Sequence, residues 1–346
     1  MSDSIRRISL EDPRILTRVE QLLREEGIRR DGTPDYTCGV FDEDENLIAT
    51  GSCYGSTMRC LAVSSAHRGE GLLNRMVEHL MEVQLARGNF HLFLYTKPGV
   101  SRQMADLGFY EIARVDGLVF MENRRNGFSG FCKRLEKKKA EGSRIASLVM
   151  NANPFTLGHR YLAERAAAEN DVVHLFVLSE EAGPIPAAVR KQLVAEGVAH
   201  LPNVIVHDTG PYLISSATFP SYFLKDGDTV IRTQAQLDIR VFSRIAQVLG
   251  IQRRYAGQEP TSHVTTLYNE VMARALPDCG IDFVELPRLE LQGAAVSAST
   301  VRQRIHEGRT EDIRGLVPDS TYAFFVSPQG EAVCEAIRRE QNVIHY

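Results

Sequence analysis

The sequence lacks the features that mark several common classes of protein. Its six cysteines are scattered over 346 residues with no C-x-x-C pair, so we expect buried thiols rather than a disulfide framework or a structural zinc site. No apolar run approaches the roughly 18 residues of a transmembrane helix, and the N-terminal MSDSIRRISLEDPR lacks the apolar core of a signal peptide. A cytoplasmic protein that binds no membrane is therefore expected.

The chain also lacks a large excess of positive or negative charge. The formal net charge is −4, so the basic excess that non-specific nucleic-acid binding requires is missing, and no nucleic-acid partner is expected. Any anionic ligand must be held by local groups. No internal repeat is visible, which excludes a solenoid. Ordinary proportions of apolar (43%) and charged (24%) residues predict well-packed domains, and the length favours two of them.

A charged run, KRLEKKKAEGSR, is the clearest break in the chain. It predicts a linker at 133–144, either a solvated segment or an exposed helix end, between a domain at 1–132 and a domain at 145–346. In the first domain, short β-type runs such as LIATGSCYG and MRCLAV precede the helical pattern LLNRMVEHLMEVQLARG and the strand FHLFLYT. This order predicts an α+β domain with a mixed sheet.

In the second domain, segments with the apolar pattern of a strand alternate with segments that have the pattern of a helix. Strand RIASLVM, a helix at 157–169, strand DVVHLFVLS, helix AVRKQLVAEGVAHL and strand NVIVHDT follow one another. Strand, helix and strand in this order form right-handed parallel crossovers, so a doubly wound α/β domain is predicted. Ligands of such sheets lie beyond the carboxyl ends of the strands.

The segment NANPFTLGH, at 151–159, follows the first strand of this domain. Pro154 ends the strand, Gly158 lets the backbone approach a ligand, and His159 lies in the first turn of the next helix, where free N–H groups attract anions. Thr156 and His159 are one helical turn apart, so both are expected to face one phosphate. The alternative is that His159 only caps the helix and Thr156 only ends a loop.

A second segment, VSASTVRQRI, begins at Val296 and is typical of a helix start. Ser297 or Ser299 is expected to be the N-cap, and the hydroxyl of Thr300 with the guanidinium of Arg302 completes a group of donors suited to phosphate oxygens. The alternative is a serine-rich cap with a purely structural role.

Both segments resemble signatures of the nucleotidyltransferase superfamily. NANPFTLGH is similar to GxFDPxHxGH, with Thr156 in place of the first His, and VSASTVR is similar to ISxSxxR/K. The resemblance implies that His159 and Thr156 are catalytic. It also implies a set of nucleotide contacts, namely Asn153, Pro154, Phe155, Gly158, Ser297, Ser299, Thr300 and Arg302.

A longer resemblance covers nearly the whole chain. NANPFTLGHRYL, ISSATFPSYFLK, GQEP and PRLELQGAAVSASTVRQRI are similar to the citrate lyase ligase family. That resemblance implies a GNAT-like N-terminal domain followed by a Rossmann-like nucleotidyltransferase domain. It further implies that ATP activates acetate as acetyl-adenylate, and that the acetyl group passes to the phosphopantetheine-type thiol on the acyl carrier subunit of citrate lyase. Mg²⁺ is expected to bridge the triphosphate without a cage of protein ligands.

Four further residues are weaker candidates. Lys225 is expected to hold a phosphate or the acetate carboxylate, and Arg190 to contact the nucleotide, although the acidic pair that precedes this Arg in related proteins is absent here. Asp238 and Glu259 are candidates for positioning ribose, metal or the incoming thiol. For each of them the alternative is an ordinary solvated or structural side chain.

The segment HRGEGLLNRM in the first domain resembles the pyrophosphate loop of GNAT acetyltransferases. Arg68, Gly69 and Gly71 match that loop, whereas Leu73 replaces its last small residue. A GNAT-like fold is therefore predicted without acetyl-CoA catalysis, and the pantetheine arm of the carrier is an alternative ligand.

Two other functions remain open at the level of the sequence. The same phosphate signatures would serve an adenylyltransferase that joins AMP to a phosphate-bearing metabolite. The replacement of the first His by Thr156 would also suit a non-catalytic module that binds a carrier or a nucleotide.

Overall fold

The structure, a computed structural model, describes residues 4–30, 34–181, 183–213, 227–259, 262–291 and 293–340. The chain divides into two compact units, Met1–Ser129 with Thr218–Arg240, and Gly130–Ala217 with Val241–Tyr346. Each unit has its own apolar core. Among the described residues, no helix combines the length and the apolar character needed to cross a bilayer.

The first unit is built on a mixed sheet. Its strands are β1 (Arg6–Arg7), β2 (Tyr36–Phe41), β3 (Leu47–Tyr54), β4 (Thr57–Val63), β5 (Phe93–Thr96), β6 (Tyr110–Val115) and β7 (Leu118–Glu122), in the order β1-β2-β3-β4-β5-β7-β6. Its helices include α1 (Pro13–Glu25), α2 (Leu72–Ala86) and α3 (Ser101–Asp106). Only β4 and β5 run parallel among these neighbours, so the predicted α+β domain with a mixed sheet is confirmed.

Strands β4 and β5 separate after a short contact. They pair at Thr57 with Phe93 and at Met58 with Leu94, and beyond these pairs the two strands line a cavity of about 680 Å³. Arg68, Gly69, Gly71 and Leu73 of the predicted GNAT-like loop line the same cavity. The segment predicted to be a pyrophosphate loop therefore lies beside the gap between β4 and β5.

Helix α2 packs on the sheet through the face that carries Met76 and Leu80, both fully buried. The helix lies close to β3 at Gly51, where a Cβ atom would approach a Leu80 methyl to 3.0 Å and a Leu61 methyl to 2.9 Å. Glycine at this position therefore lets the helix sit directly on the sheet.

The second unit is built on a parallel sheet. Its strands are β8 (Ile145–Met150), β9 (Val172–Val177), β10 (Val204–Asp208), β11 (Arg253–Gly257) and β12 (Asp282–Leu286), in the order β10-β9-β8-β11-β12. All neighbouring pairs in it are parallel, which confirms the predicted doubly wound α/β fold. The direction of strand succession reverses between β8 and β11, and ligands of such sheets bind at that point.

The rest of the chain from Gly127 onward contributes helices and a short hairpin. They are α4 (Gly127–Glu136), α5 (Leu157–Glu169), α6 (Ala187–Gly197), α7 (Gly227–Leu249), α8 (His263–Ala275), β13 (Glu290–Leu291), β14 (Ala294–Ala295), α9 (Ala298–His306), α10 (Asp319–Phe325) and α11 (Pro328–Arg339). The division between the units falls within α7. Helix α4 extends into the predicted linker at 133–144, and its Leu135 is buried, so the charged run there lies partly on a packed helix.

The last three helices form an apolar cluster of their own. Val301 and Ile305 of α9 pack with Phe325 of α10 and with Val333 and Ile337 of α11. The same region reaches the start of α5, because the Leu157 amide donates to the carbonyl of Leu316 at 2.9 Å. The C-terminal region therefore contacts both the start of α5 and helix α9, which follow the two predicted phosphate segments.

Two histidines form a hydrogen-bonded pair inside the second unit. Nδ1 of His174 on β9 and Nε2 of His207 on β10 are 2.9 Å apart, and both side chains are buried. Their other ring nitrogens have no hydrogen-bond partner in the described part of the chain. Burial lowers the pKa of His174 to about 4, and burial together with the neighbouring His174 lowers that of His207 to about 3.

Candidate nucleotide site

A cavity of about 1020 Å³ lies at the carboxyl ends of β8, β11 and β12. Residues of both predicted phosphate segments line it. The polar lining includes Thr156, His159, Gln258, Glu259, Arg288, Ser297, Ser299, Thr300 and Arg302. The structure therefore brings together two segments that are about 140 residues apart in the chain.

Helix α5 begins with a reciprocal cap. Thr156 has an extended backbone, and its Oγ1 accepts from the His159 amide at 3.4 Å, while the Thr156 amide donates to Nδ1 of His159 at 3.1 Å. Because Nδ1 of the neutral ring accepts a proton donor, the ring proton resides on Nε2. His159 can thus offer a neutral N–H donor to a ligand in the cavity.

The environment of His159 favours this neutral form. Burial lowers its pKa to about 4, and the positive charge of Arg288 acts in the same direction. The ring stacks on Phe155, with centroids 5.8 Å apart and planes 16° apart. At neutral pH, His159 is accordingly a positioned hydrogen-bond donor rather than a cation.

Helix α9 begins with a cluster of hydroxyl groups. Ser297 is the N-cap, as one of the two sequence alternatives predicted, and its Oγ accepts from the Thr300 amide at 3.0 Å. The same oxygen lies 2.9 Å from Oγ of Ser299 and 2.8 Å from Oγ1 of Thr300. Hydroxyls and a helix N-terminus therefore face the cavity together, which is the arrangement that favours phosphate oxygens.

The two phosphate segments are in direct contact. Arg302 is 5% exposed, lines the cavity, and donates through Nη1 to the carbonyl of Asn153. Gly158 lies against the second segment, since a Cβ atom there would be 3.2 Å from the carbonyl oxygen of Val296. Gly158 was expected to let the backbone approach a ligand; it lines the cavity and also lets the backbone of the second segment come close.

Arg190 is placed outside the cavity lining. Its guanidinium is fully buried and donates from Nε to the carbonyl of Ile185 at 3.2 Å, from Nη1 to the carbonyl of Asn151 at 2.8 Å, and from Nη2 to the carbonyl of Glu180. These bonds fix the loops after β8 and β9. The geometry thus indicates a structural role for Arg190 in place of the nucleotide contact inferred from sequence position.

Asn153, Pro154 and Phe155 form the base of the site and do not line the cavity. Asn153 and Phe155 are buried, and the peptide bond between Asn153 and Pro154 is cis. The Phe155 ring belongs to the apolar core and lies over Gly197 of α6, where a Cβ atom would come within 2.4 Å of the ring. Direct nucleotide contact by Phe155 is therefore not supported, and its contact with His159 makes it a positioning residue.

We expect Gly197→Ala to lower the free energy of unfolding by about 1 to 3 kcal/mol, because the added methyl group overlaps the Phe155 ring and overpacks the core. The gain in helix propensity is at most about 1 kcal/mol. Gly130→Ala in α4 is the matched control, since the nearest atom to its Cβ is an Arg134 side-chain nitrogen at 3.8 Å. Urea unfolding followed by circular dichroism measures both; equal stability of the two variants would contradict the prediction.

The cavity contains an ion pair of which only one member, Glu259, was a candidate from the sequence. Nη1 of Arg288 donates to Oε2 of Glu259 at 2.6 Å, and burial raises the pKa of Glu259 despite the opposing charge of Arg288. Glu259 was a weak candidate from sequence, and Arg288 was missed. The signal in the sequence was its position two residues after Leu286, the last residue of β12. Ligands of such sheets bind at the carboxyl ends of the strands.

Two other sequence candidates are not part of this cavity. Lys225 lies outside the described residues. Asp238, on α7, is buried and does not belong to the cavity lining.

Comparisons with known proteins assign the chain to a family. Residues 145–325 match the family model described as the citrate lyase ligase C-terminal domain. A protein of Klebsiella pneumoniae named citrate (pro-3S)-lyase ligase is 36% identical over 83% of this chain and 86% of its own. The protein of the same name from Escherichia coli K12 is 36% identical over 92% of this chain and 93% of its own.

The chain also resembles solved structures over about a third of its length. One is an aminoglycoside 6'-N-acetyltransferase complexed with coenzyme A, 14% identical, with a TM-score of 0.30, covering 34% of this chain and 94% of that one. Family membership rests on the sequence relatives, which are more than 30% identical over most of both chains. The chain belongs to the citrate lyase ligase family.

Proposed function

We propose that the protein is an AMP-forming ligase that acts on citrate lyase. In this proposal ATP and acetate form acetyl-adenylate and pyrophosphate, and the acetyl group then passes to the phosphopantetheine-type thiol on the acyl carrier subunit, releasing AMP. Membership of the citrate lyase ligase family supports the reaction class and the partner. The observation that carries the assignment to this cavity is the contact between the two phosphate segments through Arg302 and the Asn153 carbonyl.

The cavity suits ATP in size and in donors. A volume of about 1020 Å³ accommodates a nucleotide, and the start of α9 offers the hydroxyls of Ser297, Ser299 and Thr300 to phosphate oxygens. Nε2 of His159 supplies a further donor near the start of α5. These groups would hold the triphosphate.

Magnesium would be held mainly through the nucleotide. In the described ranges no group of three or more His, Cys, Asp or Glu residues could hold a metal ion, and the Glu259 carboxylate in the cavity is paired with Arg288. Mg²⁺ keeps several waters and binds phosphates readily, so the triphosphate and water can supply its ligands. When bound, it would neutralise phosphate charge.

The chemistry requires little beyond positioning and charge. A carboxylate oxygen of acetate attacks the α-phosphorus, and the bond between that phosphorus and the bridging oxygen breaks, so that pyrophosphate leaves with the electron pair. His159 donates a hydrogen bond to the phosphoryl oxygens without transferring a proton. In the second step the carrier thiol, after losing its proton, attacks the acetyl carbon and AMP leaves, so no protein nucleophile is needed.

The direct test combines the protein with ATP, Mg²⁺, acetate and the thiol form of citrate lyase. AMP, pyrophosphate and an acetylated carrier detected by mass spectrometry are the expected products. Release of ADP and phosphate would contradict the proposal. Pyrophosphate formed without acetate or carrier would favour an adenylyltransferase, and tight ATP binding without turnover would favour a non-catalytic binding module.

For Arg302→Ala we expect the KM for ATP to rise by about 10-fold to 100-fold with a smaller change in kcat. A charge-assisted contact to phosphate acts already in the ground state and contributes about 1.5 to 3 kcal/mol. Steady-state kinetics with ATP varied at saturating acetate measure the effect.

Arg304→Ala is the matched control for that experiment. Arg304 lies on the same helix, is not part of the cavity lining, and donates to the carbonyl of Asp312. An unchanged KM for ATP in Arg302→Ala, or an equal rise in both variants, would argue against a phosphate contact at Arg302.

A further inference from the structure

Arg288 occupies an unusual position in the cavity. It follows β12, its side chain is 16% exposed, and it lines the same cavity as His159. One terminal nitrogen bonds to Glu259, whereas the buried Nε has no hydrogen-bond partner among residues 4–340 as far as these are described. A buried guanidinium N–H without a partner is costly, and an anionic ligand would satisfy it.

The rest of the cavity is poor in positive charge near His159. Thr156 stands where related signatures carry a first His, and its hydroxyl is engaged in the cap of α5. His159 is neutral at neutral pH. Among the described lining residues the remaining cations are Arg288 and Arg302, and Arg302 already donates to the Asn153 carbonyl. Among the side chains of the described lining, Arg288 is therefore the cation available to a developing negative charge beside His159, in addition to the Mg²⁺ that the proposed function places on the triphosphate.

The ion pair with Glu259 holds the Arg288 side chain in place and leaves other N–H groups of its guanidinium available to a ligand. Arg guanidinium carries five N–H groups, and the contact to Glu259 uses one terminal nitrogen. A partly buried ion pair contributes little net stability because desolvation offsets much of the attraction. The pair is thus better explained by what the guanidinium does in the cavity than by its contribution to folding.

We propose that Arg288 is a catalytic residue of the adenylation step and supplies the positive charge that Thr156 does not. This inference rests on the proposed function above. As the acetate oxygen bonds to the α-phosphorus and the pyrophosphate oxygen departs with its electron pair, the guanidinium neutralises charge on the non-bridging phosphoryl oxygens. Glu259 holds the guanidinium in place and is a positioning residue.

The test is acetate-dependent exchange of labelled pyrophosphate into ATP, measured on the full chain with Mg²⁺ and no carrier. Arg288→Gln should lower the exchange turnover on the order of 10²-fold, with the KM for ATP changed by less than about fivefold, because the contact strengthens in the transition state. Arg288→Lys keeps the positive charge but lacks the planar guanidinium, so its exchange turnover should lie between that of Arg288→Gln and that of the wild type. Arg288→Met keeps the apolar stem and replaces the Gln variant if circular dichroism shows that variant to be unfolded.

Arg253→Gln is the matched control. Arg253 begins β11 at the amino end of the neighbouring strand, pairs with Asp282 at 3.8 Å, and does not line the cavity. Its exchange rate should equal that of the wild type. An equal loss in both variants would overturn the role of Arg288.

A second readout separates charge at the site from a structural effect. Removing the guanidinium should raise the pKa of His159, measured by NMR titration of the histidine ring, because Arg288 contributes to lowering it. Exchange within about threefold of wild type in Arg288→Gln, or an unmoved His159 titration, would overturn the role of Arg288 alone. A wild-type protein with no acetate-dependent exchange would overturn the proposed function, and this role with it.

Discussion

His159→Ala should reduce turnover on the order of 10²-fold or more while the protein remains folded. The variant loses the Nε2 donor, and removal of one positioned donor to a transition-state oxyanion has effects of this size. It also loses the acceptor for the Thr156 amide, so a decrease of about 1 kcal/mol in the free energy of unfolding is expected from the weakened cap. Initial rates of AMP release, with circular dichroism to verify folding, measure both effects.

His200→Ala provides the comparison for that variant. His200 is a half-exposed histidine in the same unit, and it contacts Glu164 at 3.0 Å away from the cavity. The wild-type pH profile adds a second check, because a His159 pKa of about 4 leaves the ring neutral well below pH 6. Full activity in His159→Ala, or an acidic limb near pH 6.5 that disappears in this variant, would refute the neutral-donor role.

The stability of the second unit should fall steeply between pH 7 and pH 5. In the folded protein the buried pair of His174 and His207 stays neutral, since their pKa values are lowered to about 4 and about 3. In the unfolded chain both rings take up a proton below about pH 6.5. Unfolding is therefore favoured as the pH falls from about 6.5 toward the folded values, by up to about 1.4 kcal/mol per pH unit for each histidine.

A double variant, His174→Gln with His207→Gln, isolates this contribution. Two amides can retain one hydrogen bond between β9 and β10 and cannot be protonated in this range. Urea unfolding by circular dichroism at several pH values should give a smaller slope for the double variant than for the wild type. A wild-type stability that is constant from pH 7 to pH 5 would contradict the argument.

Much of the fold is predictable because local pattern and tertiary packing agree. The helix expected at 157–169 is α5, and YEIARV is β6 with the same bounds. These elements combine a clear periodicity with a defined end, such as Thr156 at a helix start. Helix α4 was anticipated only as an exposed helix end, because its last turn is rich in Lys and Arg and its apolar side, including Leu135, is short. A charged run and the solvent face of a short helix look alike in sequence.

From the sequence, only those candidate site residues that belong to a local motif are predictable. Thr156, His159, Ser297 and Arg302 were found because the residues that cap a helix and bind an anion lie next to one another in the chain. Arg288 was not, since its place in the cavity lining and its contact with Glu259 arise from the tertiary fold. Phe155 and Arg190 fit their motifs by position, but burial decides what they contact.

The apolar contacts of α11 have a consequence for dissecting the protein. The recognised family segment ends at residue 325, whereas Val333 and Ile337 of α11 cover Ile305 and Phe325. A fragment that ends at residue 325 would expose this apolar surface and is expected to aggregate. A usable fragment should therefore run through Arg339.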